Sequence, residues 1–155
     1  MTQVLYGDRL GKEGQLRTGC SAVIFNETRT KALLTRRTDN GLWCIPGGGM
    51  EAGESAAEAC IREVWEETGL SVRVKRLIGV YSNPNQLVVY ADGNKAQMVV
   101  MSFEAEVISG ELGLSNETTE AGFFSVEEME TIPMHGKHKE RVEDALLGLT
   151  EALIK

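Results

Sequence analysis

Apolar positions along the chain fall into two periods, and the change between them marks the elements. Residues 15–26 (QLRTGCSAVIFN) hold an apolar run that predicts a buried strand. Glu27 to Thr30 is a polar turn, and Lys31 to Arg37 (KALLTRR) reads as a second strand, so the pair predicts a hairpin. Leu42 to Ile45 is a short strand halted by Pro46, and Gly47, Gly48 and Gly49 read as a loop. The period then becomes helical. Ala56, Cys60 and Val64 recur every fourth residue and form one core-facing stripe. Ser55 is a good N-cap, Glu58 three residues on makes a capping box, and Gly69 suits the residue just past the helix end. Strands are predicted over 72–81 and 86–90, Asp92-Gly93 is a hairpin turn, and 96–107 (AQMVVMSFEAEV) is the strongest strand pattern. Ser109-Gly110 opens a loop with an acidic stretch from Glu117 to Glu120, and Phe123-Phe124 begins a last short strand. Ser125 caps a short helix starting VEEME, and residues 138–154 have helical spacing. Residues 1–14 read as a polar arm or a short extra element.

Composition narrows this α+β picture. A length of 155 residues suits a single domain spanning 1–155 with one sizeable core. Lys+Arg 16 against Asp+Glu 23 gives a net charge of -7, which disfavours nucleic-acid backbones and anionic membranes as partners. A polyanionic substrate would therefore need a local cation to receive it. The three cysteines, Cys20, Cys44 and Cys60, form no C-x-x-C pair and fit no zinc or nucleophile pattern, so free thiols in a reducing compartment are expected. The first residues, MTQVLYGDRLGKEGQ, lack an apolar signal core, and no apolar run reaches the ~18 residues of a membrane span. The expected location is cytoplasmic.

One helix carries the candidate chemistry. Glu63, Glu66 and Glu67 fall at i, i+3 and i+4 and share a face, where they repel one another. They also crowd the last turns, where the helix dipole favours cations. A run of this kind is most often a solvated acidic face. A hard divalent cation such as Mg²⁺ or Mn²⁺ would turn the same cost into a site. The neighbours favour the second reading. Gly47 to Gly49 bring bare backbone near the helix and leave room for phosphate. Arg62 adjoins Glu63, and Glu54 lies close enough upstream for an Arg–carboxylate pair to brace loop against helix.

Gly48, Glu54, Arg62, Glu63, Val64, Glu66, Glu67, Gly69 and Leu70 match without departure the pattern G-x5-E-x7-R-E-U-x-E-E-x-G-U, where U is aliphatic. In this the chain resembles the Nudix (MutT-like) hydrolases. The resemblance implies an α/β/α sandwich with a mixed β-sheet and a loop–helix–loop signature. It implies Mg²⁺- or Mn²⁺-dependent hydrolysis of a phosphoanhydride bond in a nucleoside diphosphate linked to another group X. It implies a metal held by Glu63, Glu66, Glu67 and the Gly47 carbonyl, with Arg62 and Glu54 as the bracing pair. The general base would be Glu67 or Glu66, with Glu120 as the candidate from a later loop and Glu117 behind it. A (d)NTP, oxidised or not, and an ADP-sugar are the candidate substrates, and homodimers are an expectation of the same kind. Some relatives are sensors that bind nucleotides without cleaving them; these usually lose signature glutamates, and none is lost here.

Outside the signature the signals are thinner. Arg36 and Arg37 alternate across a strand, so one points to each face; either one of them contacts a substrate phosphate or both are surface strand arginines. Trp43 reads as a buried anchor and Trp65 as helix packing. His135 and His138 read as part of a polar loop leading into the last helix, and Pro84 as a turn residue.

Overall fold

The computed structural model describes residues 2–113, 115–116 and 118–155. Strand β2 (Gln15–Ile24) is the centre of the fold. It pairs in parallel with β8 (Lys95–Ser109) along its whole length and antiparallel with β5 (Gly47–Gly49). Two antiparallel strands, β6 (Ser71–Tyr81) and β7 (Gln86–Val89), share β8's far edge, and β1 (Gln3–Tyr6) adds to β7. The result is a mixed seven-stranded sheet that also takes in β10 (Leu153–Ile154), parallel to β6. A second, three-stranded sheet has the order β4-β3-β9, from Trp43–Cys44, Ala32–Arg37 and Thr118–Phe124.

Alternation along β2 explains the layers. Cys20, Ala22 and Ile24 face helix α1 (Ala56–Thr68) and pack with Ala59, Cys60 and Val64. Val23 points the other way, into a cluster with Val142 and Ala145 of helix α3 (His138–Leu146). Helices thus cover both faces, as expected of an α/β/α sandwich. A one-turn helix, α2 (Val126–Met129), starts at Ser125, whose hydroxyl accepts the Glu128 N–H while the Glu128 carboxylate accepts the Ser125 N–H.

Several expectations need correction. Residues 15–26 and 31–37 form no hairpin. Phe25 and Ala32 make one antiparallel bridge, and the strands then part into different sheets. Both edges of β2 are already taken by β8 and β5, so β3 pairs with β4 and β9 instead. The glycines at 47–49 are a strand on β2 rather than a loop. Residues 118–124 are strand β9, so Glu120 is not a loop residue, while Glu117 lies outside the described residues. The last helix stops at Leu146; Gly148 follows at φ 64, and the chain returns as β10, clamped by Lys155 N–H to the Val80 carbonyl at 2.8 Å. Of the two readings of the first residues, the short extra element holds: residues 2–14 contain β1 and a 3-10 turn at Leu10–Glu13. Trp43 is a core anchor, edge-on to Phe124 at 4.8 Å, but Trp65 is 58% exposed. All three cysteines are buried free thiols.

Candidate active site

Helix α1 begins where Ser55 Oγ accepts the Glu58 N–H, half of the expected capping box, and ends at Gly69 with φ 74. The stripe that buries Cys60 and Val64 fixes the helix rotation, and with it the direction of Arg62, Glu63, Glu66 and Glu67. Arg62 is the hub of the site. Its Nε and Nη2 grip both oxygens of Glu54 at 3.0 and 2.7 Å. Nη2 also donates to the Gly49 carbonyl at 3.0 Å, and Nη1 donates to Glu63 at 3.0 Å and to Glu66 at 3.2 Å. A guanidinium has five N–H donors in a rigid fork, and these five bonds account for all of them. The bracing of strand against helix is therefore one bidentate ion pair with a backbone contact. Glu54 also accepts the Glu51 N–H at 2.7 Å. Arg62 first, and that N–H second, hold the Glu54 carboxyl down at about 2. The same pairing raises Arg62.

The glycines are there for close approach. A Cβ on Gly47 would stand 2.3 Å from the Cys20 carbonyl oxygen, and one on Gly48 would stand 2.5 Å from the Glu63 carboxyl carbon. With no side chains between, the Gly47 N–H donates to Glu67 Oε2 at 3.2 Å.

These groups form one wall of a groove of about 1360 Å³. It runs past β2 and β7 to the segment before α3. Arg37 lines it, its guanidinium folded onto Asp39 at 2.8 and 2.9 Å, and this pairing holds the Asp39 carboxyl at about 2. His135 and His138 line it too, ring to ring at 5.3 Å. His138 Nδ1 accepts the Ile45 N–H at 3.1 Å. Burial first, then the positive charge of Arg37, push His135 down to about 4; His138 lies well below its usual range for the same first reason. Both rings are neutral at pH 7.

Of the residues predicted from sequence, the fold gathers Glu54, Arg62, Glu63, Glu66, Glu67, Gly47, Gly48, Gly49 and Arg37 around or beneath this groove. It leaves two outside. Arg36 donates to the Gly41 carbonyl at 2.9 Å and to Glu120 at 3.1 Å, so these two side chains meet each other across β3 and β9 and line no part of the groove. Sequence reasoning missed Arg141, Ser21 and Tyr81, which also line it. Only its position three residues after His138 in the predicted helix could have drawn attention to Arg141.

In chemical kind, though not in their present spacing, the donors suit a hard divalent cation: three carboxylates on one helix face beside a glycine backbone, with the Glu63 carboxylate filling the space a Gly48 side chain would need. Among the described residues, no three acidic, His or Cys side chains stand gathered closely enough to hold an ion. Glu63 and Glu66 are instead drawn to Arg62, and Glu67 to the Gly47 N–H. No helix of the described residues is long and apolar enough to cross a membrane.

The chain is similar to several known proteins. An ADP-ribose pyrophosphatase of Methanocaldococcus jannaschii is 39% identical over 103 residues, 64% of this chain and 57% of that protein. A putative 8-oxo-dGTP diphosphatase of Bacillus subtilis is 44% identical over 66 residues, 43% of this chain and 44% of that protein. The chain thus spans about half the length of these relatives. A solved NUDIX hydrolase from Nitrosomonas europaea superposes with a TM-score of 0.71 at 27% identity, covering 86% of this chain and 90% of that one. The family model for the NUDIX domain matches residues 15–145, and the chain belongs to the Nudix family.

Proposed function

We propose that this protein hydrolyses a phosphoanhydride bond of a nucleoside diphosphate linked to another group X, with an ADP-sugar favoured over a (d)NTP. The observation that carries the reaction class is the Arg62 hub: one guanidinium binding Glu54, Glu63, Glu66 and the Gly49 carbonyl at the wall of a large groove. Two things favour a two-ended substrate. Of the two relatives named above, the one matched over the larger share of this chain is an ADP-ribose pyrophosphatase. The groove, at about 1360 Å³, exceeds the roughly 300–1,000 Å³ of ordinary small-ligand sites.

Glu63, Glu66, Glu67 and the Gly47 carbonyl are the proposed ligands of Mg²⁺ or Mn²⁺. When bound, the ion neutralises diphosphate charge and lowers the pKa of a bound water. Arg62 orients Glu63 and Glu66 while anchoring the glycine strand through Gly49. Glu67, oriented by the Gly47 N–H, takes the proton of the attacking water, with Glu66 as the alternative base. Gly48 gives the Glu63 carboxylate room against the strand, and Gly49 adds no side chain on the approach to the diphosphate. Arg37 reaches a substrate phosphate by exchanging Asp39 for it. The rate then comes from positioning and charge stabilisation rather than covalent chemistry of the protein.

The test is a panel of ADP-ribose, other ADP-sugars, dGTP and 8-oxo-dGTP with Mg²⁺, with products identified. The reading expects AMP and a sugar phosphate from ADP-ribose. It also expects turnover to fall by orders of magnitude in Glu67→Gln with an unchanged melting curve. Release of no mononucleotide from any member, alongside tight nucleotide binding, would make the protein a sensor and defeat the proposal.

A further inference from the structure

Four arginines line the groove: Arg17, Arg37, Arg62 and Arg141. Arg62 is saturated by Glu54, Glu63, Glu66 and Gly49, Arg37 is closed onto Asp39, and Arg17 is exposed to solvent. Arg141 differs from all three. It is partly buried on α3, with one side-chain hydrogen bond, Nη1 to Ser21 Oγ at 3.3 Å, and its guanidinium lies 5.2 Å from the centre of the Tyr81 ring. Among the described residues no carboxylate pairs with it. The acids nearest along α3 are engaged elsewhere: Lys155 holds Glu140 at 2.7 Å, and Tyr81 donates to Asp144 at 2.7 Å. Burial pushes the Arg141 pKa down. A half-desolvated guanidinium with most of its N–H donors unused is costly unless an anion completes it. Beside it, His135 Nδ1 is buried with no hydrogen-bond partner.

Its place in the fold says which anion. Ser21, which anchors Arg141, is the β2 residue opposite Gly47, and Gly47 donates to Glu67. Arg141 is thus separated from the glutamate wall by one strand pair. A group that engages the glutamates and also reaches Arg141 must carry several anionic oxygens. We propose that Arg141 is a substrate-binding residue that receives a phosphoryl oxygen of the nucleoside diphosphate on the α3 wall of the groove. The inference rests on the hydrolase reading above. A guanidinium suits the role because its fork can meet two oxygens of one phosphate while keeping its face on Tyr81.

The test measures binding apart from turnover. In a Glu67→Gln background with Mg²⁺, calorimetry compares ADP with adenosine for Arg141 and for Arg141→Gln. ADP affinity is expected to fall about 10- to 100-fold, as for loss of a charged hydrogen bond, with adenosine affinity unchanged. Equal ADP affinity in the two proteins, or a parallel loss of adenosine affinity, would overturn the proposal. The second outcome would make Arg141 a base contact or a pin for Tyr81. If Arg141→Gln fails to fold, the Arg141 Nε–H resonance of the unsubstituted residue gives the answer. It is expected to shift on addition of ADP but not of adenosine, and an unmoved resonance defeats the proposal. Failure of the hydrolase reading is seen separately, as absence of turnover in the substrate panel.

Discussion

Gly48→Ala separates catalysis from folding. The new Cβ would stand 2.5 Å from the Glu63 carboxyl carbon and 2.6 and 2.7 Å from its two oxygens. Ordinary contact begins near 3.4 Å, so the carboxylate must retreat by about 1 Å. It can, because the obstacle is the end of a flexible side chain. The stability cost includes the Glu63–Arg62 contact at 3.0 Å, about 1.5 kcal/mol for a partly buried charged hydrogen bond. Loss of glycine's freedom in the unfolded chain returns about 0.4–1 kcal/mol, so net stability should fall by about 0.5–1 kcal/mol. Catalysis tolerates the shift poorly. A misplacement of this size costs on the order of 100-fold in kcat/KM, about 2.7 kcal/mol of transition-state stabilisation. Gly47→Ala is the control. Its Cβ would meet backbone, the Cys20 oxygen at 2.3 Å and Ser21 Cα at 2.8 Å, so β5 must leave β2 at a cost of about 1–3 kcal/mol. Urea denaturation and Mg²⁺-dependent nucleotide hydrolysis, run on both variants, check the pair. Near-wild-type turnover in Gly48→Ala would refute the role given to Glu63, and equal destabilisation of the two variants would refute the distinction between side-chain and backbone obstacles.

Other predictions follow from the same contacts. Arg62 holds the Glu54 carboxyl at about 2, below its unfolded value of 4.5, so the pairing stabilises the fold fully above about pH 4.5 and is lost as pH falls through about 2. The gap in urea midpoint between wild type and Glu54→Gln should therefore be full at pH 6 and shrink towards pH 2.5; a constant gap would sink the assignment. Glu120→Gln should leave turnover within about threefold and stability within about 1 kcal/mol, since Glu120 meets exposed Arg36 outside the groove. A collapse of kcat in that variant would restore Glu120 as the base. Trp43→Ala should cost about 3–5 kcal/mol and Trp65→Ala under about 1 kcal/mol, read from denaturant midpoints, because the first is 7% and the second 58% exposed.

The signature helix was legible because its signals are local. Ser55, Glu58, Gly69 and the Ala56–Cys60–Val64 stripe lie within one helix length, and each speaks about its immediate neighbours. The sheet was not, because pairing is decided between distant segments. Nothing within 15–37 says that β2 will give its edges to residues 47–49 and 95–109. Glycine has low strand propensity, so β5 exists only because β2 offers it an edge. Two misses had local signals. Trp65 follows Val64 directly and is turned about 100° from the buried stripe, which places it towards solvent. Gly148 is a helix stop that the spacing of the tail concealed.

The two arginines at the end of β3 show where local reasoning ends. Alternation requires Arg36 and Arg37 to face opposite ways, but not which of them faces the groove. That is decided by β9, whose Glu120 takes Arg36 and leaves Arg37 on the groove side with Asp39. Arg141 extends the point: its interest lies in having no acidic partner among the described residues, and an absence of that kind exists only once α3, β2 and β6 have been brought together. The carboxylates of the proposed hydrolysis come from one continuous helix that a sequence pattern can specify. The cations proposed to meet the substrate come from β3 and α3, and their roles depend on which carboxylates the fold has left to pair with them. A family of enzymes can therefore keep its reaction in one stretch of chain while its choice of substrate changes with packing elsewhere.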